Sequence, residues 1–401
     1  MSDKIKRVTF GSLQPNIENL LELTPEDFAP ASNEQKEGFI ADRKSSSYWK
    51  DTWRRLRKNK VSMVALGIIC LYLVFAFIGP MLMPYGYDEF IAGSENLYPW
   101  HYSLEDQKLL DSVSGNEGDG LKAALESAKK ENGIHLKAFG YSNAELTRIE
   151  NGEKVFPHVF GTDKFGRDIM VRIMIGTRVS MLIGICAALL VLLIGATYGS
   201  ISGFTGGKVD TVMMHGAELI YSVPEVLVVL LLSTALQPAL IAFQDSGEGL
   251  FQKLVGLMGP NLISLFVAFG LLYWVTMARI IRGQILQLKE QEFVTAARAL
   301  GASSGRIIRR HLLPNCIGQI VVTTCLQIPE AIFLESFLSF LGVGVSAPMT
   351  SLGSMAADAL TGYQTYGYRL IIPAVILSLM ILALNLFGDG LRDALDPRLK
   401  K

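Results

Sequence analysis

Six stretches of about 20 mostly apolar residues, at roughly 61–83, 179–203, 212–237, 257–281, 317–343 and 369–388, constrain this chain more than any other feature. Inside a bilayer no water can satisfy a peptide group, so each stretch has to become a helix that bonds its own backbone. Half of the 401 residues are hydrophobic, a fraction that soluble domains approach, so the clustering carries the argument and the total does not. The expectation is an all-α membrane protein with six spanning helices. The first stretch is no secretory signal, because some 60 polar and basic residues precede it.

Orientation follows from where Lys and Arg collect in short loops. "KDTWRRLRKNK" before the first stretch holds six cations against Asp51, the segment Arg279–His311 is rich in arginine, and the chain ends "RDALDPRLKK". The loops at 239–252 and 344–368 contain neither Lys nor Arg. Both termini are therefore expected in the cytoplasm of a plasma membrane, which an even number of crossings satisfies.

Residues 1–60 read as a polar cytoplasmic lead-in with a basic flank, and 61–83 as the first helix. Residues 84–178 form a long outer insertion, placed outside by parity. Between 84 and 160 it carries 13 Asp/Glu against 7 Lys/Arg, and Leu121, Ala124, Leu125 and Ala128 recur at helical spacing, so a small acidic folded cap is expected there. Residues 179–391 hold helices two to six, with a long polar loop at about 283–315, and 392–401 are a cytoplasmic tail.

Chemical motifs point away from catalysis. Cys70, Cys186, Cys316 and Cys325 lie in or beside apolar stretches without metal-ligand spacing, and so read as small buried hydrophobes. "SGFTGGKV" has Ser202 where a phosphate loop needs its first glycine and ends in Val209. "GVGVSA" follows an apolar stretch rather than a strand. No cofactor or metal is expected in this chain.

The polar island "EFVTAARALGASSGRIIRRHLLPN" is the most organised hydrophilic segment. Phe293, Ala296, Ala297 and Leu300 fall at i, i+3, i+4 and i+7, a narrow apolar stripe shallow enough for close approach by another surface. Gly301 stands where a left-handed residue would stop the helix. Ser303 or Ser304 can cap a second helix that carries Arg306, Arg309 and Arg310, and Pro314 marks its end. These residues suit two readings: a loop resting on anionic headgroups, or a docking helix for a partner.

The same stretch resembles the cytoplasmic Glu-Ala-Ala loop of ABC-importer permeases: Ala296, Ala297 and Gly301 match, as do Leu313 and Pro314. Thr295 replaces the usual glutamate, with Glu292 one turn away, and His311 replaces an isoleucine. "FGTDKFGRD", "RVSMLIG", "ESFLSFLGVGV" and "NLFGDGLRDALDPRLK" resemble the dipeptide, oligopeptide and nickel branch, and within it the C-type permease subunit. The resemblance spans roughly 160–400. It implies a type I importer permease in a bacterial plasma membrane. The implied partners are a second permease, two ATPase subunits that hold the ATP and Mg, and an extracellular binding protein. It also implies a coupling role for Glu292, Phe293, Ala296, Ala297, Leu300 and Gly301. Importers of nickel chelates, opines or glycans share the branch, and the rival from another class is a standalone channel or proton-coupled carrier.

Charged residues within or beside the spans are the remaining candidates. Glu225 and Glu330 each cost about 2.5–3.5 kcal/mol or more if they face lipid, so they are expected to face a pore, a partner permease or a polar neighbour, and Glu335, which matches the family pattern, joins them as a pore or interface candidate. Glu330 and Glu335 lie about 140° apart around a helix, which keeps them off one patch. Asp163, Arg167 and Asp168 are spaced for an outer turn or gate held by charge-assisted hydrogen bonds. Asp389, Arg392, Asp393 and Asp396 read as a lock between the last helix and the cytoplasmic loop.

Overall fold

The computed structural model describes residues 48–83, 85–90, 94–100, 158–247, 249–345 and 349–395. The expected cap helix at 119–132 and residues 1–47 of the lead-in lie outside the described residues. The chain divides into two units, Met1–Asp51 and Thr52–Lys401. Of the first, residues 48–51 are described, and they open the helix α1 (Tyr48–Leu56).

Among the described residues every regular element of ten or more residues is helical: α2 (Lys60–Phe77), α4 (Ile169–Thr205), α5 (Gly207–Tyr221), α6 (Glu225–Asp245), α8 (Pro260–Leu272), α9 (Trp274–Leu288), α12 (Ile317–Phe340) and α14 (Tyr368–Leu395). Short helices join them: α3 (Gly79–Leu82), α7 (Leu250–Met258), α10 (Glu292–Ala299), α11 (Ser304–Ile307) and α13 (Leu352–Ala359). Among the described residues, six segments are long and apolar enough to cross a membrane: α2, α4, α6, α8 with α9, α11 through α12, and α14.

The spans match the apolar stretches in number but not in their ends. α4 begins at Ile169, ten residues before the expected boundary. Asp168 caps it by accepting the Val171 N–H at 2.8 Å, and Arg178, inside the helix, donates to the Ala76 carbonyl at 2.8 and 3.0 Å. Hydropathy stops at such arginines, whereas the helix continues because their charge finds a carbonyl at the end of α2. The third stretch, read as one span at 212–237, is broken at Ser222–Pro224. α5 ends before the break, and the span proper is α6, whose first residue is Glu225. α14 runs to Leu395, past the expected limit of the core at 391.

α4 is the packing centre, lying against α9, α12 and α2. With 37 residues it is about 55 Å long, so it projects beyond the hydrocarbon layer. Gly195, Gly199 and Gly203 line the face toward α9, and a Cβ at Gly199 would sit 2.4 Å from the Ala278 carbonyl oxygen. Small residues four apart let two backbones touch where the hydrophobic effect gives no drive between helices.

α11 does not meet α12 as a regular helix. A π-helical turn at Ile308–Leu312 and a 3₁₀ turn at Leu313–Cys316 intervene, the second holding Pro314. Departures of this kind mark hinges and functional sites.

Candidate functional site

The site assembles around the loop between α9 and α12. α10 ends in a Schellman arrangement: the Gly301 N–H donates to the Arg298 carbonyl at 2.9 Å and the Ala302 N–H to Ala297 at 3.1 Å, with Gly301 at φ +75°. Nothing lies within 4 Å of a Cβ built on Gly301, so its requirement is conformational and not steric. Glu292, Phe293, Ala296 and Leu300 are exposed, Leu300 by 89%. Ala297 corrects the expected stripe: it is buried beside Val294, in the same cluster as Ile285, Ile307 and Leu312. α10 therefore has two faces. Val294 and Ala297 hold it to its own chain, and Phe293, Ala296 and Leu300 stand outward. The sequence pattern merged them because alanine suits either face. Ser303 takes the N-cap position of α11 without a side-chain cap bond.

Beneath α10 lies a clamp absent from the sequence reading. Arg282 in α9 donates Nε and Nη2 to Asp210 of α5, both at 2.6 Å, and Ser202 at the end of α4 bonds the same carboxylate. Lys289 Nζ donates to the Gly203 carbonyl at 3.0 Å, and the Arg298 guanidinium lies 5.2 Å from the Phe204 ring centroid. Arg282 holds the Asp210 carboxyl below the usual carboxylate range, the Ser202 hydroxyl adding to the effect against the cost of burial. Of the anticipated lock, Asp396 lies outside the described residues, and Asp389, Arg392 and Asp393 make no ion pair with another described residue.

The three glutamates part company. Glu335 is wholly buried, which corrects its placement at a pore or interface. Ser180 of α4 donates to it at 2.9 Å, Ser336 at 3.1 Å and Ser339 at 2.7 Å, and Ser351 at the cap of α13 joins them. It thus ties α4, α12 and α13 together, where a buried carboxylate needs its acceptors filled. Glu330 is exposed and takes a bond from Gln327 Nε2 at 2.9 Å. Glu225, also exposed, hydrogen-bonds Tyr273, and Tyr273 lies within electrostatic reach of both carboxylates. The structure therefore joins Glu225 and Glu330 from different spans into one surface and removes Glu335 from it.

At the opposite end of α4, Asp163 Oδ2 takes Arg167 Nε and Nη2, each at 2.7 Å, and its Oδ1 takes the backbone N–H groups of Phe165 and Arg167. Asp168 Oδ2 lies 2.8 Å from His158 Nδ1, both side chains fully buried. Tyr368 OH donates to the Thr162 carbonyl at 3.0 Å, and Arg369 Nη1 to Asn96 Oδ1 at 2.9 Å, so the turn is sewn to the start of α14. Asp163, Arg167 and Asp168 do the work of a structural turn here.

The family of binding-protein-dependent transport system inner membrane components matches residues 195–401, and the N-terminal transmembrane domain of oligopeptide transport permease C matches 47–99. The oligopeptide transport system permease protein OppC of Bacillus subtilis is 38% identical over 374 residues, covering 93% of this chain and 97% of the relative. The dipeptide transport system permease protein DppC of the same organism is 37% identical, covering 97% of each. OppC of Escherichia coli is 34% identical over 88% of this chain and 92% of its own.

Proposed function

The chain belongs to the binding-protein-dependent transport system inner membrane components, and from that premise we propose that it is one of two permease subunits of an ATP-driven importer for di- and oligopeptides. The exposed apolar face of α10, read with the family, carries this reading. A surface holding Phe293 and a nearly naked Leu300 at the polar end of a membrane protein is paired in the working assembly. Its match is a groove on an ATPase subunit, since the chain offers no nucleotide loop of its own. With the termini in the cytoplasm, α10 lies on the ATP side and the Asp163–Asp168 turn faces the binding protein.

Movement of the ATPases then has two routes into the membrane. Val294 and Ala297 pull on the core beside Ile307 and Leu312, and so on the irregular base of α12. The Asp210–Arg282 clamp carries the same displacement to α4, α5 and α9. Rigid elements displaced about such joints produce alternating access. Glu225 and Glu330 are too costly to leave against lipid. They are assigned to the path or to the second permease, where a carboxylate offers the peptide's ammonium group a passing contact.

Cysteine at position 300 tests the docking in the whole complex. It should form a cross-link with an ATPase subunit through a short bifunctional reagent, and the yield should change when ATP is trapped. A cysteine at Ser114 should react with impermeant reagent from outside, while one at Ser304 should not. Labelling of position 304 from outside would overturn the orientation.

A further inference from the structure

On the side away from α10, a cleft of about 480 Å³ opens between the Asp163–Asp168 turn, the Tyr87–Asp88 segment and the junction of α12 with α13. That size suits a small-molecule site. Arg167 in its lining is engaged by Asp163 at 2.7 Å, but the other charges are held loosely. Arg172 is only 5% exposed, yet its polar contacts are long: Nε is 3.7 Å from Asp163 Oδ2, and Nη2 donates to Thr350 Oγ1 at 3.4 Å. Asp163 is already engaged by Arg167 at 2.7 Å, so it leaves Arg172 underserved. A guanidinium has five donors, and a buried one is costly without strong acceptors. Lys164, also in the lining, rests on the Phe165 ring at 5.0 Å. Asp88 and Asp358 line the same cleft, and among the described residues neither they nor Lys164 make an ion pair within 4.0 Å.

Besides Arg167, two cations and two carboxylates surround the opening without an ion pair among the four, an arrangement complementary to a molecule bearing both charges. We infer that this cleft is a peptide subsite on the outer face of the permease: Arg172 and Lys164 receive the terminal carboxylate, and Asp88 and Asp358 the terminal ammonium. The inference rests on the peptide-importer reading and deepens it. The geometry fits a short peptide with free termini, met as the binding protein releases it. Charge-assisted bonds to Arg172 replace its long contacts with short ones, and the wet, open setting keeps the hold brief enough for onward passage.

The test uses the complete complex in nanodiscs and a tripeptide probe with a central benzoylphenylalanine and free termini. On illumination the probe should label this chain within 163–172 or 342–358. Excess trialanine should suppress the labelling at least tenfold more effectively than trialanine amide or acetyl-trialanine. Lys164→Glu, at an exposed position, should reduce labelling about fivefold, and Arg172→Lys should reduce it while keeping the helix charge. Equal competition by blocked and free peptides overturns the subsite. So does a Lys164→Glu effect confined to half-saturation by the binding protein, which makes the cleft a protein contact. ATP-driven trialanine uptake by the same purified complex reconstituted in proteoliposomes separates the failures. Uptake with no label in the cleft defeats this inference alone, whereas no uptake defeats the peptide reading with it.

Discussion

Gly301 and Glu335 show two ways in which one residue can be indispensable. Gly301 is free of neighbours but held at positive φ, so Gly301→Val meets a backbone penalty of about 1–2 kcal/mol or more and deforms the exit of α10. ATP-driven transport should fall sharply with insertion unchanged, and Gly301→Asn, which tolerates the left-handed region, should recover much of it. Near-normal uptake by the valine variant would make α10 a surface helix without a coupling role. Glu335 is the opposite case, crowded by hydroxyl donors. Glu335→Ala strands three or four of them in a closed space at about 1–3 kcal/mol each, so the melting temperature should drop by many degrees. Glu335→Gln, which keeps an acceptor oxygen, should cost less, and equal losses would deny the hydroxyl cage its role. Gly301 was legible because a helix stop has a local signature. The cage was not, since Ser180 lies 155 residues from Glu335 and no spacing rule joins them.

Between elements, the joints decide what moves together. The Asp210–Arg282 clamp binds α5 to α9 beside the α10 loop, and it carries a pH signature. The folded carboxyl titrates below its unfolded value, so the clamp's stabilisation is full above the ordinary carboxylate range of about 4 and is lost as pH falls through the lower folded value. The stability advantage of wild type over Asp210→Asn, measured as melting temperature in detergent, should therefore be constant near neutrality and shrink below about pH 4. A difference that does not vary with pH would show that the pair contributes nothing through its charge. At the α4–α9 seam, Gly199→Leu drives a side chain into the Ala278 carbonyl and should block assembly altogether, as read by gel filtration. The number of spans could be read from apolar length, because lipid imposes that length. Their ends could not, because Asp168, Arg178 and Pro224 act through caps, carbonyl partners and breaks that hydropathy does not register. The inner and outer faces of α10 were likewise merged, since burial of Val294 depends on where α9 and α12 place their side chains.

For the whole molecule, the family fixes the role of a membrane subunit, and the surfaces left open describe the assembly it works in. α10 offers an apolar face on one side, Glu225 and Glu330 an acidic one within the spans, and the Lys164–Arg172 cleft a zwitterionic one on the other side. On the proposed reading, the importer moves substrate only when hydrolysis elsewhere displaces α10. A proton-coupled carrier using Glu225 and Glu330 as a relay would need no hydrolysis. The decisive measurement is peptide uptake into proteoliposomes holding the full complex and binding protein, with active or hydrolysis-dead ATPase subunits, and with Leu300 intact or changed to Asp. The account predicts uptake only with active ATPases and intact Leu300, with ATP hydrolysis in the Leu300→Asp complex no longer stimulated by the binding protein. Uptake that persists with hydrolysis-dead subunits, or that is indifferent to Leu300→Asp, would contradict it.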